Sequence, residues 1–280
     1  MTNHPPPRTA FVLGGGGVLG SAEVGMLRAL VEAGIGPDIV LGTSVGALNG
    51  AVVAADPSWP SVERLTELWT SAAAGVWSTS TVSRVRTIAR TRTAWHSNEP
   101  LRQMLTEHLG DPRIEDLAVP FQCCAASVER AAEHWFTSGP LIPAVLASCA
   151  VPGLFPAVEV GGEHYLDGGL VDSIPVGRAV ELGAKCIYVL QVGRIERQLA
   201  APRMPWEVAL VAFEIARRHR FRRDMSNVPE DVEVHVLPSG EEPARITNLR
   251  YKDTSAVSRR IESAYRASLE YLEQNQGPHG

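Results

Sequence analysis

With 280 residues, 45% of them hydrophobic, the chain can bury a full-sized core, which excludes disorder as a description of the whole. A formal net charge of −5 gives no global attraction for nucleic acid, whose binders carry a basic footprint, so an anionic partner has to be met locally. No uninterrupted apolar run reaches the ~20 residues of a membrane-spanning helix, and Cys123, Cys124, Cys149 and Cys186 fit neither a CxxC metal pair nor a dense disulfide framework.

The expectation is a soluble cytoplasmic protein, able to touch a membrane peripherally, whose cysteines serve as small buried hydrophobes. Residues 1–8, polar and proline-rich, read as a loose tail unlike the start of a signal peptide. Thr9 to Leu13 (TAFVL), short and bounded by glycine, reads as a buried strand. A helix over Ala22–Ala33 follows, with Gly34 placed to end it, then a strand at Ile39–Leu41 and an apolar helix at Ala47–Ala55. Connected as β-α-β-α, the two strands should lie parallel.

From Ser58 to about Leu109 the pattern is helical, interrupted by a Ser/Thr-rich piece that carries Arg84, Arg86, Arg90 and Arg92. Strand-like runs return at Val119–Val128, Glu133–Phe136, Ala157–Val160 and His164–Leu166, with an alanine-rich helix at Leu141–Ala150 between the pairs. Cys186–Val192 and Val232–Leu237 read as two more strands, and Asp253 to about Glu273 as a closing helix. With no internal repeat and no linker, residues 9–275 form a single expected domain, and 58–110 a helical, lid-like insert. Arg217, Arg218, Arg220, Arg222 and Arg223 crowd one end of a further helix, a placement that the helix dipole alone would favour.

The second strand runs into GTSVG, Gly42 to Gly46, a G-x-S-x-G elbow in which Ser44 projects its hydroxyl and Gly42 and Gly46 remove Cβ atoms that would clash. Taken alone, such a pentapeptide is also an ordinary turn. Earlier, the loop LGGGGVLG contains Gly15, Gly17 and Gly20 at G-x-G-x-x-G spacing, the dinucleotide fingerprint. That reading needs an acid at the end of the second strand, where Gly42-Thr43-Ser44 stands instead, and the absence of a lysine after Gly20 removes a P-loop. The remaining use is an oxyanion hole: if the two strands are neighbours, the N–H groups of Gly15, Gly16 and Gly17 open at the same sheet edge as Ser44. Asp167, in Asp-Gly-Gly after a strand, is a candidate base, although Asp-Gly is by itself a commonplace turn.

In combination, LGGGGVLG, GTSVG and ASCAVPGLFPAVEVGGEHYLDGGLVDSIPV resemble the motif order of the patatin-like phospholipases, in register from about Phe11 to Asn49 and from Ala147 to Val176. That resemblance implies a three-layer α/β/α sandwich with a mainly parallel central sheet and a Ser–Asp dyad without a catalytic histidine. Ser44 would be the nucleophile, Asp167 the base and Gly15 to Gly17 the oxyanion loop, acting on a lipid or small ester with no metal or other cofactor. One departure is Leu19, where the family usually has Arg or Lys; it predicts lower activity on anionic phospholipid than on neutral esters. Two other readings stand beside this one: a catalytically silent relative that binds lipid or a partner protein, and a Ser–Asp–His α/β-hydrolase with His219 or His235 late in the chain. The remaining histidines show no ligand spacing.

Overall fold

The computed structural model describes residues 8–74, 94–192, 198–202, 204–240 and 254–275. The proline-rich start, residues 1–7, and the Arg84–Arg92 run lie outside these described residues. One sheet of eight strands organises the rest: β1 (Thr9–Leu13), β2 (Ile39–Thr43), β3 (Phe121–Ser127), β4 (Ala132–Phe136), β5 (Val158–Val160), β6 (Glu163–Asp167), β7 (Cys186–Leu190) and β8 (Glu233–Leu237). Along it the order is β5-β6-β3-β2-β1-β7-β8, with β4 also paired to β3.

Alternation along each strand sends neighbouring side chains to opposite faces, and both faces are covered. Phe11, Leu13, Tyr188 and Leu190 enter the larger core, whereas Ala10, Val12, Ile187 and Val189 enter the smaller one. Against the larger core pack α1 (Ser21–Glu32), α2 (Val45–Ala55), α3 (Trp59–Ala74), α4 (Glu99–Leu109), α5 (Leu141–Ser148) and α8 (Thr254–Asn275). The opposite face is covered by α6 (Val176–Glu181) and α7 (Pro205–Ser226), which contribute Val176, Ala179 and Phe221. The result is three layers, α/β/α, with a mainly parallel sheet.

The insert expected over 58–110 joins this core. Leu65, Leu68 and Trp69 of α3 and Leu101 and Leu105 of α4 are buried in the larger cluster, whereas Trp95 between them is 57% exposed. No helix among the described residues is long and apolar enough to cross a membrane.

Strand β3 makes the connection that matters. Its first half pairs in parallel with β2, Thr43 opposite Cys124, and β4 takes the other edge from Cys123 to Ser127. From Ala125 onward the edge vacated by β2 is occupied by antiparallel β6, with Asp167 opposite Ala125. β2 and β6 therefore lie along the same side of β3 and meet end to end, each pointing its C-terminal residue at the other. Sequence pattern located both strands but carried no sign of this meeting, because the pairing direction of β6 depends on a partner about 40 residues upstream. β2 is also two residues longer than periodicity indicated, since its ladder to β3 continues through Gly42 and Thr43. The short helix α6 had no counterpart in the sequence reading.

Candidate active site

Ser44 stands where β2 turns into α2, at φ 57° and ψ −125°, a backbone conformation rare for any residue with a side chain. The turn is tight enough that a Cβ on Gly42 would sit 2.5 Å from the Gly46 carbonyl oxygen, and one on Gly46 would strike the Leu13 carbonyl of β1. The strained conformation is held from below. Ser148 Oγ accepts the Ser44 N–H at 2.8 Å and donates to the Cys124 carbonyl at 2.6 Å, which ties the elbow to β3 and α5.

Asp167 closes β6 and is 1% exposed. Its Oδ2 accepts from Ser44 Oγ at 2.6 Å and its Oδ1 from the Gly169 N–H at 2.7 Å. Burial drives its pKa up to about 6; the bonds from Ser44 and Gly169 hold it below what burial alone would give. The carboxylate is thus ionised at neutral pH and a far better proton acceptor than an exposed aspartate.

The glycine loop leaves β1 beside this pair, because β1 and β2 are parallel neighbours with Leu13 opposite Gly42. The structure divides the three expected donors. Gly15 gives its N–H to the Ser173 carbonyl at 2.9 Å, as Gly14 does to Leu190 at 2.9 Å, so Gly15 braces the loop. Among the described residues the N–H groups of Gly16 and Gly17 meet no protein acceptor. Leu19 packs half-buried against the larger core.

Next to Ser44 a cleft with about 510 Å³ of open space, continuous with solvent, runs between α2, α3, α4 and the segment after α5. Leu48, Leu68, Trp69, Met104 and Phe155 line it together with Gly17 and Ser44. Such a lining suits a hydrocarbon chain and offers little to a sugar or nucleotide. Behind the loop, buried Glu23 of α1 accepts from Asn49 Nδ2 at 2.7 Å while Trp69 Nε1 donates to Asn49 Oδ1 at 2.9 Å. Burial holds the Glu23 pKa well above the usual carboxylate range, against the pull of Asn49 and the Arg217 charge.

Other sequence candidates fall elsewhere. His219 is exposed on α7, and His235 lies on β8, three strands from β2 or ~14 Å at the usual spacing. His235 does group with Cys186 and Glu233, their ligand atoms within 4.8 Å of one another, a cross-strand cluster that linear spacing conceals. The arginine-rich end of α7 also differs from expectation: only Arg223 occupies the last turn, so the helix dipole does not account for Arg217, Arg218 or Arg220. Ser148, Ser173 and Arg217 escaped sequence reasoning as parts of the site. Ser173 lies inside the DSIPV block, and that adjacency was the available signal.

Known proteins resemble the chain over much of its length. The Patatin-like phospholipase family model matches residues 11–180. Lysophospholipase nte1 of Aspergillus terreus is 32% identical over 186 residues, 66% of this chain and 12% of that protein. Patatin-like phospholipase domain-containing protein 7 of Rattus norvegicus is 33% identical over 186 residues, 66% of this chain and 13% of that protein. The chain therefore spans about an eighth of the length of these curated relatives. Among solved structures, VipD from Legionella pneumophila superimposes with a TM-score of 0.48 at 14% identity, covering 96% of this chain and 67% of that one. With a family match over more than half of its length, the chain belongs to the patatin-like phospholipases.

Proposed function

We propose that the chain is a serine hydrolase that cleaves carboxylic ester bonds of lipids through a Ser44–Asp167 dyad. The observation that carries this reading is the 2.6 Å hydrogen bond to a buried carboxylate from a strained elbow serine that lines an apolar cleft. The acyl chain would lie along α3 and α4, walls supplied by the 58–110 insert, with the ester carbonyl over Ser44. As Oγ attacks the carbonyl carbon, its proton passes to Asp167 Oδ2, and the tetrahedral oxyanion accepts from the N–H groups of Gly16 and Gly17. Collapse expels the alcohol, which takes the proton from Asp167, and leaves an acyl-enzyme on Ser44. Water then attacks the acyl carbon, gives a proton to Asp167, and the second collapse releases the fatty acid and returns that proton to Ser44.

An apolar cleft attracts substrate in proportion to buried methylenes. With up to ~0.8 kcal/mol for each CH₂, kcat/KM on p-nitrophenyl esters should rise about fourfold per added carbon until the cleft is filled. Contact with a membrane would be peripheral. The test is labelling by a fluorophosphonate probe together with hydrolysis of p-nitrophenyl esters of graded length and of phospholipid vesicles. Wild type should label and turn over; folded Ser44→Ala should do neither. Full activity in folded Ser44→Ala would sink the serine mechanism.

A further inference from the structure

Arg217 is 5% exposed, and its place in the middle of α7 leaves the helix dipole no part in its burial. A buried guanidinium is costly unless each donor finds an acceptor. Here Nε donates to Ser173 Oγ at 3.1 Å, Nη2 to the Val192 carbonyl at 3.0 Å and Nη1 to Glu214 Oε1 at 3.4 Å. Two of these acceptors belong to the residues that hold the glycine loop. Ser173 takes the Gly15 N–H on its carbonyl, and its hydroxyl lies within 3.1 Å of where a Gly15 Cβ would be. Val192 packs its side chain directly onto Gly16.

The same face of α7 continues this pattern in both directions, at the i, i+3 and i+4 spacing of one helical stripe. The ring of Phe213 lies against Gly169, which binds Asp167; Arg220 reaches Asp172 at 3.5 Å, and the Asp224 carboxylate faces Gly177. Segment 169–177 is thereby gripped along its length by one helix. Charged neighbours of Arg217 are Glu214, which it shares with Arg218, and Glu23 behind the loop, whose own pKa its charge lowers.

We propose that Arg217 is the positioning residue of the oxyanion loop: it clamps Ser173 and Val192, the two residues on which Gly15 and Gly16 rest, and supplies from α7 the fixed positive charge that Leu19 does not. The inference rests on the hydrolase reading above and adds to it a residue far from the three sequence motifs. Arg217 touches no reacting atom. Its effect passes through the aim of the Gly16 and Gly17 N–H groups and through a field favouring negative charge where the oxyanion forms.

The experiment compares wild type, Arg217→Met, Arg217→Lys and Ser173→Ala, each first checked for its fold by circular dichroism. A misaimed oxyanion hole should lower kcat for Arg217→Met on p-nitrophenyl octanoate by about 100-fold, with KM within about threefold, since lost oxyanion stabilisation acts on the transition state. Arg217→Lys keeps the charge and should recover about a tenth of wild-type kcat, while Ser173→Ala, which removes one anchor, should lose about fivefold. A merely structural role is separated by two inhibitors. Octyl trifluoromethyl ketone, captured by Ser44 as a tetrahedral oxyanion, should weaken in step with kcat, whereas 1-octanol, an uncharged chain that needs only the cleft, should bind every variant equally. Parallel loss of both inhibitors, or unchanged kcat in folded Arg217→Met, overturns the inference. Should Arg217→Met not fold, Ser173→Ala decides: unchanged kcat and ketone affinity overturn it equally. Fluorophosphonate labelling keeps the two readings apart. Unlabelled wild type sinks the hydrolase reading and this inference with it, while labelled wild type beside an unaffected Arg217→Met sinks the inference alone.

Discussion

Ser44 and Asp167 reach the same gap from opposite directions, one at the end of a parallel strand and the other at the end of an antiparallel one, and different forces hold the two ends. On the Ser44 side the force is steric: a positive φ, and two glycines packed so closely on Ala47 and Leu13 that no side chain fits. On the Asp167 side it is electrostatic, a carboxylate almost without solvent that meets two hydrogen-bond donors among the described residues, Ser44 and Gly169. A nucleophile needs exact aim, and crowding supplies it. A base needs a raised pKa, and burial supplies that at the expense of stability.

Asp167→Asn should have the largest effect and separates the two sides most sharply. Removal of the base should cut kcat by about 10⁴-fold, the order seen when an acid–base residue is neutralised in a serine hydrolase. Stability should move the other way. Because the folded pKa of about 6 exceeds the unfolded value of ~3.9, the native state holds the extra proton between those values. The stabilising contribution of this group is therefore fully present below about pH 4 and lost as pH rises through 6. At pH 8 asparagine escapes the penalty, worth at most about 3 kcal/mol, so Asp167→Asn should melt above wild type there and lose that advantage near pH 4. Equal melting temperatures at both pH values would show that burial does not strain this carboxylate.

Gly46→Ala attacks the other side. Its new methyl meets the backbone of β1, which cannot withdraw without breaking the β1–β2 ladder, so the variant should lose about 3 kcal/mol of stability, with activity falling as the elbow deforms. Urea denaturation measures the first and the ester assay the second. A stable, active Gly46→Ala would mean that the turn can relax and that its strain is incidental.

The same contrast explains what the sequence disclosed. Steric needs are local: only glycine fits at 42 and 46, so GTSVG after a short apolar run signals a turn of this kind without any structure. β1, β2 and the helices after them were legible for that reason, as were the parallel sense and shared edge of the two loops. Asp167 was legible only as a neighbour of two other motifs, because what suits it to act as a base, its burial and its approach to Ser44 around β3, comes from residues far from it in the chain: its partner on β3, Ala125, lies about 40 positions upstream and Ser44 lies 123 positions away. Arg217 and Ser148 were invisible in the same sense. Each acts through a partner distant in the chain, and their sequence surroundings describe an ordinary helix end and an alanine-rich helix.

A smaller effect tests the electrostatic side without mutation. If ionised Asp167 is the base, kcat/KM should fall about tenfold per pH unit below pH 6 and level off above it, with no loss traceable to a histidine. Asp172, raised by burial to about 7, is paired with Arg220 outside the proton path, and Asp172→Asn should leave the inflection in place. An inflection near 7 that disappears in Asp172→Asn would move the base from Asp167 to its neighbour.

The smallest expected effect concerns Leu19. Its side chain lies half-buried against the larger core, so Leu19→Arg must keep the stem on that surface and carry the guanidinium outward to solvent. A charge so placed attracts a substrate phosphate across water, worth about 0.7 kcal/mol or roughly threefold, and most of that should be screened at 0.5 M salt. The site already has a buried cation, Arg217, held at fixed distance behind the loop, and a second, exposed one adds little to the field at the oxyanion. Leu19→Arg should therefore raise the ratio of phospholipid to neutral-ester kcat/KM by no more than about threefold, at low salt only, and leave kcat on neutral esters unchanged. A rise in kcat on neutral esters would instead place position 19 in the oxyanion field, and would mean that the loop's own residue, and not α7, is the better source of its charge.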